Sequence, residues 1–444
     1  MDNFKDVYSI NFGEDFYKLT IKKKKELFDN KLLDRFMEYV SIPTNSDSNS
    51  CNVPSSIEQV YFGKKLYNEL QKLGINSIYD NLHGYVYAKI EGDKDIPSIG
   101  FISHMDTSED AKDDNINPLI INNYNGEDVT YNNKVILSVK ENPDLLNHIG
   151  KTLITTDGTT LLGADDKAGI AEIMGMIEYF KNSNEPHGDI YIAFTPDEEI
   201  GKSVDYLDRN LFNPKYAYTV DGEFVGEISY ENFNAADVTI KIHGNNVHPG
   251  YAKNKMINSL LIANRINNLI PKYETPSNTE GYYGYYHLHN IRGTVAETEM
   301  LYLIRDFDET IFQRRIDYVK KIIKELNNHF NNCIELDLNM RYKNMKEVID
   351  DNIEIVEIAK RAIEKVGVVP YVKPIRGGTD GTRLSFEGIP CPNLGAGGHN
   401  FHSNQEYVCL EDMEKIKEIL IGIVKEYYLS FKEEKNKGSY VLKK

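Results

Sequence analysis

Apolar residues recur at helical spacing from Glu26 to Val40, at Leu27, Leu32, Leu33, Phe36, Met37 and Val40, and Pro43 ends that helix. The same pattern returns from Ile57 to Leu73 and stops at Gly74, a residue suited to a helix C-terminus. Short apolar runs then alternate with helical ones. Pro97–Ser103, Asp189–Thr195 and Tyr216–Val220 read as buried strands, and Ala168–Phe180 as a helix with Ile170, Ile173, Met174, Ile177 and Phe180 on one face. This alternation predicts an α/β layer. Near Asn234 the character changes. Val238–His243, Thr298–Asp306 and Ile334–Met340 alternate with period two, as strands with one solvated face do, and helical patterns cover Met256–Ile270 and Gln313–Phe330. From residue 346 the α/β character resumes. The expected organisation is therefore an α/β chain with a large domain built on a mixed sheet, residues 26–233 and 346–432, and an inserted α+β lid domain, residues 234–345. An N-terminal extension, residues 1–25, and a frayed C-terminal tail, residues 433–444, flank them.

Length and composition agree with this division. At roughly 150 residues per domain, 444 residues suit two or three domains, and 41% hydrophobic residues suffice for a sizeable core. The formal net charge of −17 repels phosphate, which argues against nucleic acid or an anionic membrane as partner. No apolar run reaches the roughly 18 residues of a membrane span, and the start MDNFKDVYSI has no basic segment leading into an apolar one. Cys51, Cys333, Cys391 and Cys409 are far apart and without CxxC spacing, which predicts neither a disulfide framework nor a thiolate zinc site and fits the cytoplasm.

Five segments set hard metal-ligand side chains beside a strand end or a helix start: His104-Met-Asp106, Gly163-Ala-Asp-Asp-Lys167, Pro196-Asp-Glu-Glu199, Val220-Asp-Gly-Glu223 and His399-Asn-Phe-His402. In an open α/β sheet, ligands bind beyond the carboxyl ends of the strands. Imidazole and carboxylate without thiolate suit a hydrolytic zinc, manganese or cobalt centre, and more than three ligands suit two ions. Each piece alone has a plain structural reading. Asp165-Asp166 is an ordinary helix start, and a single loop histidine is ordinarily just hydrogen-bonded. Their joint placement is what points to a site.

With the sequence around those residues the chain resembles the M20 family of dinuclear metallopeptidases, from about Leu32 to Tyr427. The motifs are Ile99–Glu109, Lys151–Gly175, His187–Ser203, Tyr218–Phe224, Asn245–Asn254, Leu303–Asp308, Pro374–Thr382 and Cys391–Ser403. The forms NNVHPG, IRDFD and RGGTDG are similar to those of the family's tripeptide aminopeptidases. The resemblance implies two Zn2+ per subunit, with Mn2+ or Co2+ as substitutes. His104 and Asp221 would hold one ion, Glu199 and His402 the other, and Asp165 both, with room for a water between them. Glu198 would be the general base, and Asp106 would accept the ring N–H of His104. A cis peptide is implied between Asp165 and Asp166. His248 resembles the lid histidine that reaches the scissile carbonyl oxygen, while Arg305 and Arg376 are candidates for binding the substrate's C-terminal carboxylate. The expected partners are short peptides, and the expected state is a monomer or homodimer. Two alternatives stay open: another M20-type hydrolase (dipeptidase, carboxypeptidase or N-acyl amino-acid deacylase), and a non-catalytic peptide-binding protein, which predicts loss of Glu198 or a ligand. The segment Ser403–Glu406 departs from the basic, glycine-containing stretch expected there, and Phe224 stands where a smaller residue would be usual.

Overall fold

The computed structural model describes residues 30–131 and 135–441, with side chains up to residue 433. The expected N-terminal extension and the start of the first predicted helix lie outside the described residues. The chain forms two compact units. One comprises the described residues up to Ser229 together with Asp351–Val372 and those from Thr379 onward; the other is Tyr230–Asp350 with Lys373–Gly378. The junctions fall a few residues from those expected, and Lys373–Gly378 groups with the smaller unit rather than the larger.

In the larger unit, α1 (Lys31–Val40) starts at Asn30, whose side chain accepts from the backbone N–H groups of Leu32 and Leu33. It buries Leu32, Leu33, Phe36, Met37 and Val40. Next come α2 (Ile57–Lys72), β1 (Asn76–Tyr79), β2 (Val86–Ile90) and β3 (Ile99–His104), whose residues are all buried. Four short strands follow, β4 (Leu119–Ile121), β5 (Val129–Thr130), β6 (Ile136–Leu137) and β7 (Leu153–Thr155), then α3 (Ala164–Asn182), β8 (Ile190–Thr195), β9 (Tyr216–Gly222) and β10 (Glu227–Ser229).

The smaller unit contains β11 (Asn234–His243), α4 (Ser259–Leu269), β12 (Tyr285–Gly293), β13 (Glu297–Asp306), α5 (Glu309–His329), β14 (Ile334–Tyr342) and α6 (Lys346–Asp350). Its sheet is antiparallel throughout, in the order β12-β13-β11-β14. Val238, Ile240, Ile242, Met300, Tyr302 and Ile304 alternate onto one face and pack with Ile262, Ile266, Phe312 and Ile316 from α4 and α5.

The chain returns to the larger unit with α7 (Glu354–Lys365), β15 (Tyr371–Val372), α8 (Asp380–Phe386), β16 (Asn393–Gly395), β17 (Gly398–His399), β18 (Tyr407–Cys409) and α9 (Leu410–Val441). The helix α9 runs through most of the stretch expected to be a frayed tail. The main sheet is mixed, in the order β1-β2-β8-β3-β9-β16-β10-β15, with β8, β3, β9 and β16 parallel to one another. A second sheet, β17-β18-β7-β4, carries the loops on either side of it. Among the described residues no helix is long and apolar enough to cross a membrane.

Candidate metal centre

Because β8, β3 and β9 are parallel neighbours, their carboxyl ends open on one edge. His104 closes β3, Asp221 sits near the end of β9, and Glu198 and Glu199 lie in the turn just after β8. That turn is held from two sides. Asp197, at φ 57°, accepts from the backbone N–H of Ser55 at 2.8 Å and from Gln59 Nε2 at 2.7 Å. The Asp106 carboxylate accepts the backbone N–H groups of Glu198 at 2.9 Å and Glu199 at 3.1 Å. Asp165 and Asp166 open α3 with non-helical backbone angles, and the peptide between them is cis. Asp166 turns back to the end of β3, where it accepts from the Ser103 hydroxyl and the His104 backbone N–H. At Gly169 a Cβ would stand 2.1 Å from the carbonyl oxygen of Val220, so only glycine lets α3 approach β9 beside Asp221.

The candidate ligand side chains form two sets. His104 Nε2 is 2.9 Å from Asp165 Oδ1 and 3.5 Å from Asp221 Oδ1. His402 Nε2 is 2.9 Å from Glu199 Oε2 and 3.3 Å from Asp165 Oδ2. In each set the donor atoms lie within 4.8 Å of one another. Asp165 belongs to both, with one oxygen turned to each imidazole. Buried Glu199 Oε1 has no hydrogen-bond partner, a position that a cation would satisfy. Two imidazoles and three carboxylates, one of them the shared Asp165, fit a pair of divalent ions.

The electrostatics are those of an acid cluster. Burial, then Asp380 and Asp221, push Glu198 well above the usual carboxylate range. Burial also raises Glu199 to about 7, reinforced by Asp165, and Asp221 to about 7. Hydrogen bonds to Asp165 and Glu199 raise His402 to about 11. His104 is raised against its burial by Asp221, Asp106 and Asp165. Asp165 falls below the ordinary range in spite of burial, held by His104 and His402. Protons here occupy the place of cations, and a metal would displace them.

The profile of peptidase family M20/M25/M40 matches residues 156–426. The chain belongs to this peptidase family. It is 52% identical over 404 residues to Peptidase T of Caldanaerobacter subterraneus subsp. tengcongensis, an alignment spanning 90% of this chain and 99% of the relative. To Peptidase T of Halothermothrix orenii it is 50% identical over 403 residues, 89% of this chain and 99% of the relative. Its fold is similar to that of the aminopeptidase PepT from Bacillus cereus, with a TM-score of 0.72 and 25% identity over 90% of this chain and 98% of that one. As an M20 peptidase the chain is a peptide hydrolase.

Other residues singled out by the family's motifs make contacts of their own. The ring N–H bond of His104 goes to the backbone carbonyl of Asp106 at 3.0 Å rather than to its carboxylate, which is 3.4 Å away and holds the two glutamate amides. In the smaller unit, exposed His248 accepts the backbone N–H of Gly250 at Nδ1, 3.1 Å, which leaves Nε2 as the N–H donor. Arg305 is buried and donates from Nη1 to the carbonyls of Ala236 and Ile304 at 2.9 and 3.0 Å. Arg376 donates to the carbonyls of Gly281, Tyr283 and Thr279 at 2.7, 2.9 and 3.2 Å, with its guanidinium over the rings of Phe233 and Tyr285. Both arginines thus brace their own unit, and these contacts lend no support to carboxylate capture. One residue escaped the sequence reading. Glu406 is buried, and its carboxylate accepts the backbone N–H groups of Leu162 at 2.7 Å, Gly163 at 2.8 Å and Asp165 at 3.0 Å. It fixes the backbone from which the shared aspartate projects, inside the very segment that departs from the expected pattern.

Proposed function

We propose that the protein is a dinuclear zinc aminopeptidase that releases the N-terminal residue of tripeptides. The observation that carries this reading is that two imidazole–carboxylate sets share Asp165, with Glu198 held beside them by Asp106. When bound, two zinc ions (Mn2+ or Co2+ in their place) would acidify a water and offset negative charge developing on the scissile carbonyl oxygen. His104, Asp165 and Asp221 would hold one ion, and Asp165, Glu199 and His402 the other. Glu198 is the proton carrier. Its carboxylate takes a proton from the attacking water and returns it to the leaving amine. Asp106 acts through the backbone, fixing Glu198 and Glu199 in adjacent positions so that one serves as base and its neighbour as ligand. His248, with Nε2 as donor, suits the scissile carbonyl oxygen. Glu198 and Glu223, two residues beyond Asp221, favour a substrate with a free N-terminal ammonium.

The preference for tripeptides rests on the relatives named Peptidase T and on the tripeptidase of Staphylococcus aureus whose fold this chain shares at a TM-score of 0.72. Four unpaired cysteines fit the cytoplasm, and we take the working unit to be a monomer or homodimer. The test compares kcat/KM for a free tripeptide with its N-acetylated form and with the matching di- and tetrapeptides. The free tripeptide should be cleaved fastest, with the first residue released. Equal rates on the N-acetylated peptide would overturn the aminopeptidase reading in favour of a deacylase or carboxypeptidase.

A further inference from the structure

Cys409 closes β18, and α9 begins at the next residue. Its Sγ, the imidazole of His148 and the carboxylate of Asp412 form a third group of metal-ligating side chains, with donor atoms within 4.8 Å of one another. This group shares no residue with the dinuclear one. Its members come from separate segments: His148 ends the short 3-10 turn Pro143–His148, and Asp412 lies in the first turn of α9.

His148 is the member that calls for a ligand. It is 3% exposed, and neither ring nitrogen has a hydrogen-bond partner. Nδ1 lies 3.2 Å from Asp412 Oδ2, within reach of the cluster but out of line for a hydrogen bond. The ring faces His399 and Tyr407, at centroid distances of 5.4 and 6.0 Å. A buried imidazole with neither nitrogen hydrogen-bonded costs free energy that a bound cation would recover. Asp412 Oδ1 is taken by Lys151 Nζ at 2.8 Å, which leaves Oδ2 turned to His148. Cys409 Sγ lies 3.2 Å from Glu411 Oε2, which also accepts the Thr152 backbone N–H at 2.9 Å.

We infer that His148, Cys409 and Asp412 form a further cation site, built for a borderline-soft divalent ion of the zinc type. Thiolate and imidazole select such an ion over magnesium or calcium, and Glu411 or a water would complete four-coordination. Burial keeps the Cys409 thiol protonated in the metal-free protein, so binding forms the sulfur–metal bond as that proton leaves to solvent. The ion would tie the Pro143–His148 turn to the corner between β18 and α9, three residues beyond Glu406. Its role is to brace the strand that carries the support of Asp165.

Cobalt tests this directly, because the dinuclear set has no sulfur donor. The whole chain, stripped of metal and titrated with Co2+, should develop a near-ultraviolet thiolate-to-cobalt charge-transfer band. That band should vanish in Cys409→Ser and persist in Cys391→Ser, and metal analysis of the zinc-loaded protein should show one ion fewer per chain in Cys409→Ser. If Cys409→Ser does not fold, His148→Gln serves instead and should likewise lose one zinc. The inference is overturned if the wild-type chain shows no thiolate band once Co2+ saturates, if the band survives Cys409→Ser, or if neither variant that folds loses a zinc.

Discussion

At the scale of single residues, the separate duties proposed for two adjacent glutamates depend on a fixed backbone. Asp106 holds both amides, so Glu199 faces His402 and Glu198 is left for the role of base proposed above. In Glu198→Gln the amide keeps the size and loses the proton-accepting carboxylate. The variant should retain its metal while kcat falls by about 10²–10⁴; turnover near wild type would remove Glu198 from the mechanism. The ligands also predict a pH dependence. Glu199 and Asp221 bind protons up to about pH 7 in the metal-free protein, and a proton on either competes with an ion. Metal affinity should therefore fall as pH drops through 7, with protons released on uptake. A competition titration with a metal indicator across neutral pH reads this, and an affinity that does not change across the range would contradict it. These candidate ligands were legible in the sequence because each pairs a distinctive side chain with a strand end or helix start. Asp106 was legible as a participant but not in its manner of acting, since a carboxylate that binds backbone amides leaves no signature in spacing.

Elements explain what the sequence pattern could and could not reveal. Long periodic segments such as α5, or β11 with its alternating core residues, show their type plainly. Strand β12, with the sequence YYHLHNIRG, does not alternate apolar and polar residues, carries a bulge between Leu288 and Asn290, and is mostly exposed, so periodicity did not find it. Strands β7, β17 and β18 are two or three residues long, too short for any period to register. Yet β18 pairs with β7 and thereby brings Glu406 to the loop before α3. Replacing Glu406 by Gln would set an N–H₂ group against backbone donors that now share two carboxylate oxygens. The unsatisfied donors should cost about 1–3 kcal/mol of stability, and metal affinity should fall because Asp165 loses its support. Thermal unfolding with metal titration measures both; a variant unchanged in both would show that Glu406 only fills space.

At the scale of the whole molecule, the division into an α/β unit and an inserted α+β unit was visible in the change of period near Asn234 and its reversal near residue 346. The assignment of Lys373–Gly378 to the smaller unit was not, because it rests on contacts such as those of Arg376 with Thr279–Tyr283 and Phe233 and the Ile375 backbone N–H bond to the Glu231 carbonyl. Five segments, spread from His104 to His402, are asked to converge on one pair of ions joined by Asp165. The most direct test of that claim is anomalous diffraction from crystals of the zinc-loaded protein, recorded on both sides of the zinc edge. At this site the account predicts a pair of anomalous peaks about 3.5–4 Å apart, one beside His104 and Asp221, the other beside Glu199 and His402, with an oxygen of Asp165 on each, whatever further peak lies beside Cys409. A single peak at this site, or a pair to which Asp165 does not contribute, would contradict it.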